Sequence, residues 1–169
     1  MRTRILAAVG ACLALGLGPQ AQAQTPPAAS TLAPENAVTT HATGPFDVKM
    51  APLDTHADPP VLGRMSLDKV YHGDLEATAA GEMLAAMTPV EGSAGYVAIE
   101  RVTGTLAGRA GTFLLQHNGV MDRGAPSLVI TVIPDSGTGE LEGLSGTMMI
   151  VIENGAHRYE FDYALPERP

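Results

Sequence analysis

Tyr159, Phe161 and Tyr163 alternate with Arg158, Glu160 and Asp162, and this two-residue period, repeated along the chain between turn residues, restricts the fold more than any other feature. Successive side chains of an extended chain point to opposite faces, so alternation of apolar and polar residues describes a strand buried on one side and wet on the other. The same pattern opens the domain after Gly44-Pro45, where Phe46, Val48 and Met50 alternate with Asp47 and Lys49. Arg64 to Leu75, Tyr96 to Leu106, Arg109 to Met121, Leu128 to Ile133 and Gly146 to Ile152 also read as strands, each bounded by Gly, Pro, Asn or Asp. Leu128 to Ile133 is continuously apolar and rich in β-branched residues, which predicts a strand buried on both faces. Glu76 to Met87 suits a short helix on propensity alone. Gly81 at its centre and the strands on either side favour a further strand, with helix as the alternative.

Seven or eight antiparallel strands without crossover helices form either a sandwich or a closed barrel, and closure removes exposed sheet edges. Glycines recur within the strand patterns at Gly104, Gly108, Gly111, Gly143 and Gly146. In strands glycine marks bulges and sharp bends, which favours a small barrel. The expected fold class is therefore all-β, a small closed antiparallel β-barrel of about eight strands. From Phe46 to Leu165 there are about 120 residues, a length that folds without metal or disulfide help.

Three stretches carry a family resemblance: Glu100 to Phe113 (ERVTGTLAGRAGTF), Gln116-His117-Asn118-Gly119, and Pro134 to Gly146 (PDSGTGELEGLSG), with His157 to Tyr163 (HRYEFDY) closing the chain. They resemble an uncharacterised bacterial family of small domains of unknown function, similar in fold to the allene oxide cyclase barrel. The resemblance spans about Gly44 to Leu165 and implies an eight-stranded barrel. Related plant barrels act on an unsaturated fatty-acid epoxide or steer phenoxy-radical coupling, both in an apolar lumen. Their active-site motifs are not matched here, so only the barrel carries over.

Ahead of the barrel, Met1 to Gln24 has the three parts of a secretory signal: basic Arg2 and Arg4, an apolar run from Ile5 to Leu17, and the small-residue exit Ala21-Gln22-Ala23. Cleavage after Ala23 is expected, giving a signal peptide over 1–23 and a periplasmic or secreted protein. A lipoprotein signal ending at Cys12 is the alternative, disfavoured by the apolar Leu13-Ala14-Leu15 that follows it. Cys12 is the only cysteine, so cleavage would leave a chain without disulfide or thiol chemistry. Residues 24–43, rich in Pro, Ala and Thr, read as a disordered tether, and 44–166 as the barrel domain. Cleavage would leave eight basic residues against 18 acidic ones, a net charge of −10. Such a field repels phosphate backbones and anionic headgroups, so neither nucleic acid nor a membrane surface is an expected partner. The apolar run is too short to span a bilayer, so no membrane insertion is expected after cleavage.

Parity along the strands nominates a site. If Phe113 and Leu115 face inward then so do Arg109 and His117, and Tyr159 shares a face with His157. Two histidines and an arginine are unusual company in an apolar lumen. One reading is structural, with both histidines at a rim, bonding loop carbonyls or Ser136 and Thr138. The other makes His117 and His157 acid-base catalysts, their charge tuned by Glu100 or Arg109, in an isomerase- or cyclase-like enzyme. Arg109, Glu100, Phe113, Leu115 and Tyr159 are the expected ligand-binding residues. His72, His117 and His157 are three imidazoles, but no short spacing supports a metal site, and no cofactor is expected. Gly137-Thr138-Gly139 lacks the Lys and helix of a phosphate loop and reads as a tight β-hairpin. Met83, Met87, Met148 and Met149 read as core fillers that also suit an adaptable cavity. The preferred function is binding of a small apolar or amphipathic ligand in the lumen. A structural or protein-interaction role, as a monomer or a homo-oligomer, is the further alternative.

Overall fold

Eight antiparallel strands close into a single barrel in which each is hydrogen-bonded to the next in sequence and β8 returns to β1. The computed structural model describes residues 39–53 and 62–166. The strands are β1 (Thr40–Pro52), β2 (Leu62–Tyr71), β3 (Leu75–Met87), β4 (Ala94–Leu106), β5 (Arg109–Asp122), β6 (Ala125–Val132), β7 (Ser145–Glu153) and β8 (Ala156–Ala164). The expected signal peptide and most of the expected tether lie outside the described residues. β1 begins four residues ahead of Gly44, because Thr40 to Thr43 pair with Tyr163 to Glu160 of β8.

Turn chemistry sets the register. Ala107-Gly108, Arg123-Gly124 and Asn154-Gly155 all have positive φ at both residues, the two-residue turn whose twist matches that of the flanking strands. The stretch expected to run unbroken from Arg64 to Leu75 instead divides at His72-Gly73-Asp74, where β2 turns into β3. Residues 76–87 are strand, since β3 pairs along its whole length with β4 from Met87↔Ala94 to Leu75↔Leu106. Barrel pairing thus overrides the helical propensity of its Ala, Glu and Met residues.

The apolar rows of all eight strands meet inside, in a cluster that includes Phe46, Leu75, Val102, Phe113, Tyr159 and Phe161. Each fully buried large side chain contributes roughly 1.5–3 kcal/mol of transfer free energy. Leu141 and Leu144, from the long β6–β7 connection, enter the same cluster and close that end of the barrel. This connection is not the expected tight hairpin: it holds a short 3-10 helix, Gly139–Leu141, and Thr138 exchanges hydrogen bonds with Thr112 of β5. β6 is also not buried on both faces. Ile130 and Val132 are inside while Val129 is exposed, because a barrel strand has only one inner face. Likewise Met148 fills the core, Met149 stands on the outer wall, and Met87 is at a rim rather than in the core.

Candidate functional site

Leu67, Lys69 and Tyr71 follow one another on the inner face of β2, so the alternation that builds the core also carries an ammonium group into it. The cost of burying that charge is offset two strands away. Glu100 of β4 is 0% exposed, and its Oε1 accepts hydrogen bonds from Lys69 Nζ at 2.8 Å and Tyr71 Oη at 2.9 Å. A third comes from His117 Nε2 of β5 at 3.1 Å. An ionised carboxylate only accepts, so the contact places a proton on Nε2 of His117. Lys69 Nζ also donates to Tyr71 Oη at 3.2 Å and lies 5.5 Å from the centre of the Phe46 ring.

Burial by itself pushes the Glu100 carboxyl upward. The hydrogen bond from His117 and the charge and hydrogen bond of Lys69 outweigh it and hold the carboxyl below its ordinary range. Tyr71 moves the other way: burial first, then the neighbouring negative charge of Glu100, pushes its phenol well above the usual value. The second carboxylate oxygen, Oε2, is buried and has no protein partner among the described residues.

Two glycines make room for this group. A Cβ at Gly81, directly opposite Glu100, would lie 2.2 Å from the Ile99 carbonyl oxygen and run into Glu100 itself. At Gly119 it would lie 2.1 Å from Tyr96 Cε1, so the Tyr96 ring packs against bare backbone. The Tyr96 hydroxyl is pushed upward by burial and then by the charge of Glu100, placing the phenol within electrostatic reach of the cluster.

Above this cluster the inner rows become exposed toward the strand ends. Met50, Met87 and Ile152 are on the inner rows, opposite Leu67, Ala94 and His157, yet are 52%, 76% and 63% exposed. Met121 and Leu128 complete this apolar rim, so the end away from Leu141 and Leu144 presents inward-facing apolar side chains to solvent. Two further grooves lie on the outer wall. One, of about 590 Å³, runs past Asp47, Lys49, Asp68 and Arg101, and one of about 860 Å³ past Arg64, Leu84, Val97 and Ile99.

Of the residues nominated from sequence, the structure brings Glu100 and His117 together and sets Phe113 and Leu115 in the core beneath them. His157 is half-buried and packs on the other side of Phe46, ring centres 5.2 Å apart, so it meets the cluster only through that ring. Arg109 is not with them. It begins β5 eight residues before His117, roughly 25 Å along the strand, where its Nη1 donates to the Pro166 carbonyl at 3.5 Å. Tyr159 also has a framework role, its hydroxyl accepting from the Leu75 N–H at 2.8 Å and donating to the His72 carbonyl at 3.1 Å. Ser136 and Thr138 bond β5 backbone groups and the Ile133 carbonyl, not a histidine. His72 is exposed beside Asp47 and Glu76, and among the described residues no three His, Cys, Asp or Glu side chains converge as metal ligands would. Lys69 and Tyr71 were missed, although a lysine between two apolar residues at period two was a visible signal.

A solved structure from Shewanella oneidensis MR-1, described as a protein with unknown function from the DUF3224 family, is 54% identical. It superposes with a TM-score of 0.74 over 78% of this chain and 100% of its own. No curated protein matches the chain. The family described as protein of unknown function (DUF3224) matches residues 42–163, nearly the whole barrel, and the chain belongs to it.

Proposed function

We propose that this barrel is an exported binding protein that takes a small apolar or amphipathic molecule through its methionine-rich mouth. The observation that carries the reading is the exposure of inward-facing Met50, Met87 and Ile152 at one end of a barrel whose other end is packed. An apolar wall open to water is the usual form of a small-molecule site, and unbranched methionine side chains adapt to varied shapes. Export rests on the basic, apolar and small-residue segments of residues 1–23. Native mass spectrometry of the protein from the extracytoplasmic fraction of its own host tests both parts. The expected species begins at Gln24 and carries a dissociable small molecule. A chain retaining Met1, found only in the cytoplasm, would overturn export. A chain free of ligand that also fails to take up N-phenylnaphthylamine saturably would overturn lumen binding.

The Glu100–His117 contact favours a second reading, in which the same lumen carries out acid-base isomerisation or cyclisation. It requires that a ligand identified in this way be converted by the wild type and be bound but unchanged by His117→Ala.

A further inference from the structure

Glu100 distributes its hydrogen bonds unevenly: Oε1 receives all three of its donors, and Oε2, equally buried, receives none from the protein. A buried carboxylate oxygen is a strong acceptor whose lack of a partner is costly, so buried acceptors are almost always satisfied. The inner wall between this oxygen and the mouth alternates small residues with a few long, adaptable ones. Above Glu100 the inward positions are Ala98, Tyr96 and Ala94 on β4, Met83 and Ala85 on β3, and Gly119 on β5, where the Tyr96 ring lies against bare backbone. From Glu100 to Ala94 at the mouth end of β4 is roughly 20 Å of strand, a length suited to a slender apolar body.

We propose that Glu100 Oε2 accepts a hydrogen bond from the head of the lumen's ligand, and that this ligand is a neutral donor, an alcohol, on an apolar body. The inference rests on the lumen-binding reading above and specifies the chemistry of its ligand. Charge selects the class. The Lys69 ammonium already sits 2.8 Å from the other oxygen of the same carboxylate, so a cationic head would meet a like charge in a desolvated site. An anionic head would face the carboxylate itself. A hydroxyl donates to Oε2 and brings no charge, leaving the Lys69–Glu100 pair balanced.

Displacement of N-phenylnaphthylamine from the purified full chain by four compounds built on a ten-carbon chain tests the assignment: 1-decanol, methyl decyl ether, decylamine and decanoate. Decanol should displace the probe at a concentration at least about tenfold below that of the ether, which has the same apolar body and no donor. The amine and the carboxylate should be weaker than the alcohol. In the volume-conserving double variant Lys69→Met/Glu100→Leu, the alcohol-to-ether ratio should fall to about one while the probe is still taken up. Equal displacement by alcohol and ether in the wild type would overturn the head-group assignment and leave lumen binding intact, an outcome expected if only water meets Oε2. That comparison needs no variant, so it holds even if the double variant folds poorly. A preference for the alcohol that survives in a folded double variant would overturn it too. Failure of the wild type to take up the probe would overturn lumen binding itself.

Discussion

His117 Nε2 lies 3.1 Å from Glu100 Oε1, joining neighbouring strands through two side chains that are 3% and 0% exposed. With Lys69 on the same oxygen, the barrel holds an ion pair and an imidazole directly above its apolar packing. Buried ion pairs add little net stability over apolar residues of equal volume, yet breaking one is costly. Retaining such a pair in a domain of this size is more readily explained by the site it forms than by stability.

Glu100→Ala removes the acceptor for three donors and strands the Lys69 ammonium in the interior. It should lower the unfolding free energy in urea at neutral pH by about 3–5 kcal/mol. Lys69→Met/Glu100→Leu removes both charges at similar volume and should stay within about 1–2 kcal/mol of the wild type. Single and double variants of equal stability would show that the pair is hydrated rather than desolvated.

Acidification reads the same carboxyl. Its folded-state pKa is depressed, so the stability it contributes is present above the unfolded value and is lost as pH falls through the folded one. The stability of the wild type relative to the double variant should therefore be constant near neutrality and decline below about pH 4.5. His41, exposed and raised mainly by its hydrogen bond to Asp162, acts in the opposite sense. Its small contribution is present below 6.5 and fades as pH rises above that value. Urea midpoints between pH 3 and 8 separate the two, and a difference that grew on acidification would contradict the assignment to Glu100.

The Tyr96 ring and Gly119 should be energetically coupled. Gly119→Ala forces the ring away from the wall and should cost about 1–3 kcal/mol. In a Tyr96→Ala background the same substitution should cost less than about 0.5 kcal/mol, because nothing then occupies the space. Equal costs in the two backgrounds would mean that the ring does not lie over Gly119.

Fold class was legible in the chain because period two is a local property. Phe46-Asp47-Val48, Tyr159-Glu160-Phe161 and the glycine-bearing turns each state their own conformation, and eight such segments, most of them joined by short links, leave few ways to close a sheet. The same parity put His117 on an inner face, and the structure joins it to Glu100, which the sequence offered only as a group tuning its charge. Parity says which face a side chain takes but not its height in the barrel, which is why Arg109 shared a face with His117 and ended at the opposite end. Height follows from register, which links Lys69 to Glu100 across β3. It also decides that Met50 and Ile152 reach a rim while Leu141 and Leu144 seal the other end. The chain by itself therefore determined a barrel with polar groups turned inward. Only tertiary closure, by setting the stagger of strands distant in sequence, decided which of those groups meet and which end is left open.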